Sequence, residues 1–378
     1  MPFKHSASYS LIVIGGGMGG LMVIFDLLTR LEKLDGHKKI RILLINSDEK
    51  PACSQSSSAV AAVRAAVQAN GPMAKILLQA FDLAQVFYKR HAPLGMLAGK
   101  LVHPCPQDVT SKAYANFCRK YSRPLPLDWQ GIPAPFGGQR SILGQSEEAF
   151  FFSPAIFLNF LQERVQASKH ELNILNQEVS EIVSDERGHC IKTVAGPEFE
   201  FSAPVLYLAP GAYAFSILQL LPAGKISCGG YYEISPWPLQ KESFAVHDDE
   251  LQITYRGDTS SLLIGNLNWE MGESASQEDK YELLQKGKNY LQRLGVAWPL
   301  QAQVQWREGK RSKGPGRRPI LMSGSALENL REGIDSCGKI FYLNGLYKNG
   351  FLLPFYFAPM LAEAIKKALI NEGLVDKT

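Results

Sequence analysis

The chain has 378 residues, 46% of them hydrophobic and 20% charged, which is typical of a soluble globular protein with roughly two domains. Its 40 basic and 36 acidic residues give a formal net charge of +4, which is too small to indicate a nucleic-acid partner by itself. The six cysteines form no Cys-x-x-Cys pair and the seven histidines no His-x-x-x-His pair, which argues against a disulfide scaffold, a zinc ribbon or another metal site.

Two apolar stretches are similar in composition to a signal-peptide core or a membrane-spanning segment. Five glycines interrupt Leu11–Phe25, and no convincing cleavage site follows it. Phe351–Ala362 is too short to span a bilayer and contains Pro354 and Pro359. We therefore predict a cytoplasmic protein with reduced thiols and no membrane span.

The first elements in chain order predict a βαβ unit. Leu11–Ile14 has the composition of a buried parallel strand, Leu21–Leu34 shows helical spacing, and Ile40–Ile45 predicts a second strand. Ala59–Val67 then indicates a helix of small residues, and Ala74–His91 a longer amphipathic helix.

The composition changes from Pro93 to Gln145, where prolines and glycines cluster, and this predicts that the chain enters a second domain here. The remaining predicted elements are a helix from Ser153 to about Ala167, hairpin strands Val179–Val183 and Cys190–Val194, a buried strand Val205–Leu208, alternating strands Gly230–Ile234, Leu251–Tyr255 and Leu262–Asn266, a helix Gln277–Arg293, a strand Ile340–Asn344 and a helix Leu353–Ile370.

A glycine fingerprint, Gly15-x-Gly17-x-x-Gly20, joins the first strand to the first helix. Gly15 permits the tight turn, Gly17 lets the backbone approach a pyrophosphate, and Gly20 allows close packing of helix on strand. The helix N-terminus offers N–H groups to the phosphates. The fingerprint opens a βαβ unit, so it predicts a dinucleotide site.

The second strand of such a unit usually ends in an acidic residue that binds the adenosine ribose. Here Asn46 and Ser47 follow Ile45, and Asp48 is either a ribose ligand or a solvated turn residue. The chain has no second glycine fingerprint and no regular series of βαβ repeats. This favours FAD over a nicotinamide–flavin reductase or a simple NAD dehydrogenase.

Four further segments carry motifs: Gln55–Ala61, Leu208–Ala212, Trp306–Arg311 followed by Pro319, and Gly345–Leu353. All four resemble motifs of the D-amino-acid oxidase superfamily. The first resembles the small hydroxyl-rich segment beside the flavin, and the second the Ala-x-Gly-Ala at a strand end. The third resembles the Trp-x-Gly-x-Arg motif with one extra residue, and the fourth the Gly-His-aromatic-Arg-Asn-Gly-aliphatic run. Within this superfamily of FAD-dependent amine oxidases, the glycine oxidases are the most similar.

The resemblance implies an α/β fold with a Rossmann-type, glutathione-reductase-like FAD-binding domain and a substrate domain on a mixed, largely antiparallel sheet over the flavin. It divides the chain into an FAD-binding domain of residues 1–92, 150–228 and 308–378 and a substrate domain of residues 93–149 and 229–307. The cofactor is expected to be bound without a covalent link, because Gly309–Pro319 contains no cysteine or histidine and Tyr347-Lys348 adds neither. Cys53 is the one nearby thiol to consider.

The resemblance also implies site residues. Arg311 is either an anchor for a substrate carboxylate or a surface arginine. Lys348 stands where glycine oxidases have a carboxylate-binding arginine, and Tyr255 is either the tyrosine of the substrate domain or a packed strand aromatic. A helix starting near Asn349–Phe351 is expected to face the flavin. The candidate FAD-binding residues are Gly15, Gly17, Met18, Gly20, Asn46, Ser47, Ser56, Ser57, Ser58, Val179, Gly211, Arg311, Gly345, Lys348, Asn349, Gly350 and Phe351.

Three functions fit these residues. The first is oxidation of a small amine or amino acid, with oxygen or another electron acceptor. The second is an FAD-dependent modification of tRNA that removes carboxymethyl from a wobble uridine, because Ala80–Tyr88 resembles a helix of that enzyme and a basic cluster could meet phosphates. The cluster consists of Lys310, Arg311, Lys313, Arg317 and Arg318. The third is a non-catalytic flavin-binding protein.

Overall fold

The computed structural model describes residues 7–34, 38–47, 60–62, 72–91, 97–105, 110–112, 114–115, 136, 144–151, 153–185, 188–213, 225–238, 240, 243–247, 251–315, 318–323 and 339–376. The chain divides into two compact units. The first consists of Met1–Gln55, Leu158–Ile226 and Lys310–Thr378, and the second of Ser56–Phe157 and Ser227–Gly309.

The described residues form eighteen strands and five α-helices. The strands are β1 (Ala7–Ser8), β2 (Leu11–Ile14), β3 (Arg41–Asn46), β4 (Val60–Ala62), β5 (Leu97–Pro104), β6 (Gly144–Phe151), β7 (Glu171–Asn176), β8 (Val179–Asp185), β9 (Gly188–Thr193), β10 (Gly196–Ala203), β11 (Val205–Leu208), β12 (Lys225–Ser235), β13 (Ser243–His247), β14 (Gln252–Arg256), β15 (Ser261–Glu270), β16 (Gln303–Lys313), β17 (Ile320–Ser323) and β18 (Ile340–Asn344). The helices are α1 (Met18–Leu31), α2 (Pro72–Arg90), α3 (Pro154–Gln166), α4 (Gln277–Arg293) and α5 (Pro354–Asn371).

The first unit is built on a six-stranded sheet with the order β17-β18-β11-β2-β3-β7. All its neighbouring strands run parallel except β17, which is antiparallel to β18. The strands β2, β11 and β18 are buried along their whole length, as continuous apolar runs in a parallel sheet should be. Helices α1 and α5 pack together, and an ion pair joins Arg30 to Glu363 at 3.3 Å. A smaller sheet has the order β1-β10-β9-β8.

The second unit is built on an eight-stranded sheet with the order β16-β12-β15-β14-β13-β5-β6-β4. Most of its recorded pairings are antiparallel, with β13 and β5 the parallel pair. Alternate residues of the central strands, such as Ile253, Tyr255 and Ile264, share an apolar core with Leu283 and Leu291 of α4. This confirms the α/β class and the largely antiparallel second sheet.

The bounds of β2, β11, α4 and β18 agree with the sequence predictions. One prediction was wrong: the helix over Ala59–Val67 is a strand at Val60–Ala62, and residues 63–67 lie outside the described ones. Ala62 packs with Ala149 and Phe151 of β6, so pairing within the sheet overrides the helix propensity of alanine.

The sequence places residues 1–92 in the FAD-binding domain, whereas residues 56–92 fall in the second compact unit, where β4 pairs with β6. The stretch from Pro93 to Gln145 contains β5, a full strand that its prolines and glycines concealed. No helix in the described part of the chain is long and apolar enough to cross a membrane.

Candidate functional site

The turn at residues 15–20, which we call the glycine-rich turn, is possible only with glycine at two positions. Gly15 has φ +110°, and a Cβ there would lie 2.2 Å from the carbonyl oxygen of Ala209. A Cβ on Gly20 would lie 1.9 Å from the carbonyl oxygen of Gly15. The chain therefore leaves β2 in a tight turn and packs α1 closely against it.

The start of α1 suits an anion. Gly17 is the N-cap residue and offers no side-chain cap, and the first turn of the helix carries no acidic residue. The positive end of the helix dipole is thus not neutralised by a side chain of its own first turn. This is the arrangement that binds phosphate groups in nucleotide-binding folds.

Asn46 ties the end of β3 to this turn. Its Oδ1 accepts a hydrogen bond from the backbone N–H of Gly16 at 3.2 Å, and its backbone carbonyl accepts one from Gln177 at 2.7 Å. Both Asn46 and the neighbouring Ser47 are half-buried. Asn46 therefore lies against the glycine-rich turn at the position where a ribose is usually held.

The same edge of the sheet carries Gly211 and Asn344, which follow β11 and end β18. The Nδ2 of buried Asn344 donates to the carbonyl of Gly211 at 2.9 Å and to the hydroxyl of Tyr342 at 2.8 Å. Burial raises the pKa of Tyr342 to about 12, so its hydroxyl stays protonated. Gly211 has φ +61°, and no described heavy atom lies within 4 Å of a Cβ built on it.

These features gather at the carboxyl ends of four parallel strands. β2 lies between β3 on one side and β11 on the other, so the strand order reverses at β2. In open α/β sheets, ligands bind outside the carboxyl ends of the strands at such a switch point. The glycine-rich turn, Asn46 and Gly211 all border this position, which is therefore the candidate cofactor site.

A second group of candidate residues lies around Gly345 in the same unit. Gly345 has φ +70°, and a Cβ there would lie 2.9 Å from the backbone nitrogen of Gly314. The backbone of Lys313 pairs with that of Leu346 in an isolated antiparallel bridge. Arg311 and Lys348 therefore each lie two residues from one backbone pairing. Arg311 is half-buried and Lys348 is exposed.

The helix expected near Asn349–Phe351 begins later than predicted. A single 3-10 turn spans Tyr347–Asn349, and α5 starts at Pro354. The carbonyl of Asn349 accepts hydrogen bonds from the backbone N–H groups of Leu352 and Leu353, so a series of turns continues through half-buried Gly350 and buried Phe351 into the helix. Proline fits the first turn of α5, which explains where the helix begins.

Two other predicted residues are buried in hydrophobic cores. Tyr255 is fully buried in the core of the second unit, and its hydroxyl accepts a hydrogen bond from the backbone N–H of Gln240 at 3.1 Å, which favours the interpretation as a packed strand aromatic. Val179 is buried in the core of the first unit. The residues outside the described ranges are Asp48, Cys53, Ser56, Ser57, Ser58 and Arg317.

Three residues of the basic cluster, Lys310, Arg311 and Lys313, belong to strand β16. The segment Ala80–Tyr88 lies within α2. In the described part of the chain, no group of three or more His, Cys, Asp or Glu side chains is placed to hold a metal ion.

Sequence reasoning missed two features. Asn344 ends a buried apolar strand, as Asn46 does, and this shared signal could have identified it. The ion pairs of Glu233 with Arg256 and Arg307 were also missed, because they depend on the register of strands that are distant in sequence.

Comparisons with known proteins agree with this geometry. The model of the family described as DAO, FAD dependent oxidoreductase, matches residues 10–364. In sequence, no curated protein matches this chain.

Three solved structures resemble the chain over nearly its whole length. Glycine oxidase from Geobacillus kaustophilus has a TM-score of 0.66 at 19% identity and covers 96% of this chain and 95% of its own. L-proline dehydrogenase from P. horikoshii has a TM-score of 0.64 at 14% identity, covering 98% and 95%. L-alpha-glycerophosphate oxidase from Mycoplasma pneumoniae, solved with FAD bound, has a TM-score of 0.68 at 14% identity, covering 96% and 94%. At these identities the likeness shows the fold.

Proposed function

Because this chain belongs to the FAD-dependent oxidoreductase family, whose model matches residues 10–364, we propose that it oxidises the C–N bond of a small amine or amino acid. The cofactor is FAD, as in the family. The observation that carries the proposal is the glycine-rich turn at the carboxyl ends of the parallel strands, with Arg311 and Lys348 in the same unit.

Each part of the cofactor site has a proposed role. The pyrophosphate is held by the backbone of Gly15, Gly17, Met18 and Gly20, because the turn leaves no side chain between the pyrophosphate and the start of α1. Asn46 and Ser47 bind the ribose. The remaining proposed FAD contacts are Gly211, Arg311, Gly345, Lys348, Asn349, Gly350 and Phe351. Val179 and the serines at 56–58 stay predictions.

Arg311 and Lys348 bind the substrate in this proposal. Two cations near one backbone pairing favour a substrate that bears at least one carboxylate. Arg311 offers a planar fork that matches a carboxylate, whereas Lys348 is a compact point charge. We infer that Arg311 fixes the orientation of the substrate and that Lys348 adds attraction.

The redox chemistry would be supplied by bound FAD, whose N5 would take a hydride from the carbon that bears the nitrogen. The imine product hydrolyses in water, and oxygen or another acceptor takes up the electrons. The chain's own residues hold that carbon in place, since a bound, oriented substrate reacts far faster than a free one. The preference for a C–N bond is supported by the resemblance of Trp306–Arg311 and Gly345–Leu353 to the amine oxidases, and by the names of the glycine oxidase and the proline dehydrogenase.

Anaerobic titration of the purified yellow protein tests the proposal. The panel contains glycine, sarcosine, L-proline and iminodiacetate, with L-alpha-glycerophosphate as the competing C–O substrate, because an oxidase for it shares the fold. Bleaching of the flavin absorbance by an amine supports the proposal. Bleaching by glycerophosphate alone, or by none of the compounds, contradicts it.

Acid precipitation of the same sample tests the mode of cofactor binding. We expect the colour to stay in solution and to be FAD, since the site offers no cysteine or histidine between Gly309 and Pro319. A yellow pellet would show a covalent link.

A further inference from the structure

Asn344, the last residue of β18, uses the amide nitrogen of its side chain entirely within the protein. Its Nδ2 donates to the carbonyl oxygen of Gly211 at 2.9 Å and to the hydroxyl oxygen of Tyr342 at 2.8 Å. A carbonyl oxygen can only accept, so the atom that faces Gly211 must be the amide nitrogen and not the amide oxygen. These two hydrogen bonds therefore fix the direction in which the amide is turned.

The amide oxygen of Asn344 has no such partner. In the described part of the chain no group donates to Oδ1, although the residue is only 5% exposed. Polar atoms of such buried residues normally have a hydrogen-bond partner, because burial costs them the hydrogen bonds of bulk water. Among the described residues, the completely buried side-chain atoms without a partner do not include Oδ1, so this oxygen remains open to a ligand.

The turn that Asn344 holds has open space at its glycine. Gly211 is half-buried, and no described heavy atom lies within 4 Å of a Cβ built on it. At Gly15 and Gly20, by contrast, a Cβ would lie 2.2 and 1.9 Å from a backbone oxygen. Asn344 thus orients a glycine turn with a side that no described part of the protein fills.

The order of the strands relates Asn344 to the proposed parts of the cofactor. In the order β18-β11-β2-β3, the proposed ribose ligand Asn46 ends β3, the glycine-rich turn follows β2, Gly211 follows β11 and Asn344 ends β18. Neighbouring strands lie about 4.8 Å apart, so β18 is roughly 10 Å from β2. In FAD the ribityl chain continues from the pyrophosphate on the side away from the adenosine. With the adenosine at β3 and the pyrophosphate at β2, the ribityl chain runs towards β11 and β18.

An amide oxygen without a partner selects a hydrogen-bond donor. The pyrophosphate offers only acceptors at neutral pH and does not fit this oxygen, whereas a hydroxyl group can donate to it. We propose that Asn344 is a cofactor-binding residue whose Oδ1 accepts a hydrogen bond from a ribityl hydroxyl of FAD, while its Nδ2 holds the Gly211 turn. This inference rests on the placement of FAD in the proposed function and deepens it.

Removal of single hydroxyl groups from the cofactor tests the inference without turnover. Holoprotein is equilibrated with an equimolar mixture of FAD and an analogue that lacks one ribityl hydroxyl, and the bound cofactors are then released by acid and quantified. For one of the analogues, the wild type should bind FAD about 5- to 10-fold more tightly, which is the effect of one neutral hydrogen bond. Asn344→Ala should bind FAD and the same analogue equally well, because the acceptor is gone.

Tyr342→Phe is the matched control. It removes the other hydrogen-bond partner of Nδ2 but keeps Oδ1 and the bond to Gly211, so its preference for FAD over the analogue should equal that of the wild type. Thermal melts of both variants show whether the fold is retained. The measurement on the wild type needs no variant, so the inference stays testable even if Asn344→Ala does not fold.

The outcomes for this inference and for the proposed function are distinguishable, because no substrate takes part in the experiment. If the wild type binds every analogue as tightly as FAD, or if Asn344→Ala keeps the preference of the wild type, the inference is overturned even if amines bleach the flavin. A preference that is lost in Asn344→Ala alone supports the contact even if none of the amines is oxidised, and in that case only the proposed reaction fails.

Discussion

The backbone N–H of Gly16 donates a hydrogen bond to Oδ1 of Asn46 at 3.2 Å, so the glycine-rich turn and the end of β3 are joined by a neutral amide. Rossmann folds usually have a carboxylate at this place, which accepts the ribose hydroxyls as well. In this chain Oδ1, the one side-chain oxygen of Asn46, already accepts the hydrogen bond from Gly16. The amide's remaining capacity, mainly its two Nδ2 donors, is what it can offer a ribose.

Asn46 is therefore expected to tune FAD affinity without being essential for the fold. Asn46→Ala should weaken FAD binding about 5- to 10-fold, the effect of losing a neutral hydrogen bond of about 1 kcal/mol. Asn46→Asp keeps an acceptor for Gly16 and adds one for the ribose, so it should bind FAD at least as tightly as the wild type. Titration of apoprotein with FAD, followed by quenching of flavin fluorescence, measures both. An Asp variant as weak as the Ala variant would place the ribose elsewhere.

The glycines of the turn should differ in what their loss does. Gly17→Val should give folded but colourless protein, because a side chain there stands between the backbone and the pyrophosphate. Gly20→Ala should destabilise the fold itself, since its Cβ would lie 1.9 Å from the Gly15 carbonyl oxygen. Gly19→Ala is the matched control: its Cβ meets nothing closer than 3.7 Å, so stability and FAD content should be kept. Flavin absorbance and thermal melts read out the three variants, and full FAD content in Gly17→Val would contradict the assigned phosphate site.

Arg311 and Lys348 should affect different half-reactions. Arg311→Ala should reduce substrate binding and specificity about 30- to several-thousand-fold, which corresponds to the roughly 2–5 kcal/mol lost when a desolvated charge pair is broken. Lys348→Met should lose less in binding, because lysine has no planar fork. If Lys348 stabilises negative charge on oxygen, its variant should mainly slow reoxidation. Stopped-flow absorbance resolves reduction and reoxidation, and no response of either to either variant, with FAD bound, would show that the active site is misplaced.

Asp258 should make stability depend on pH in an unusual direction. Burial raises its pKa above the ordinary value of 3.8, against the opposing charge of Arg256 and the hydrogen bond from the backbone N–H of Ser153. The folded state therefore binds this proton more tightly than the unfolded state does. Its contribution to stability is fully present below pH 3.8 and is lost as the pH rises through the folded pKa.

Urea unfolding of the wild type and Asp258→Asn between about pH 3 and 7 measures this effect. The free energy of unfolding of the wild type minus that of the variant should rise as the pH falls. Taking this difference removes the contributions of all other titrating groups, because they are common to the wild type and the variant. A difference that stays flat or falls with decreasing pH would contradict the raised pKa.

The parts of the fold that the sequence predicted well are those with local signals. Leu11–Ile14, Val205–Leu208 and Ile340–Asn344 are continuous apolar runs, and only a strand buried on both faces satisfies such a run of this length. The glycine fingerprint predicted the turn between β2 and α1 for a similar reason, because the geometry of that turn excludes any side chain at Gly15 and Gly20.

The parts that could not be predicted depend on distant partners. Val60–Ala62 is a strand because β6 pairs with it, and nothing in its small side chains indicates this. β16 contains Gly309 and many charges, so its strand character comes from its place beside β12 in the sheet. The ion pairs of Glu233 with Arg256 and Arg307 likewise need three strands in register before the charges meet.

The position of β16 at the end of the strand order has a consequence for solubility. In the described part of the chain no further strand of that sheet follows it, so its outer backbone groups could template pairing with another molecule. Charged side chains along the strand oppose such pairing, because a second copy would bring like charges together. They are Arg307, Glu308, Lys310, Arg311 and Lys313. Arg311, which we propose to bind the substrate, thus also protects an exposed sheet edge from pairing. Variants that neutralise several of these charges together should aggregate more readily, which sets a limit on how far the substrate preference of this chain can be changed at β16.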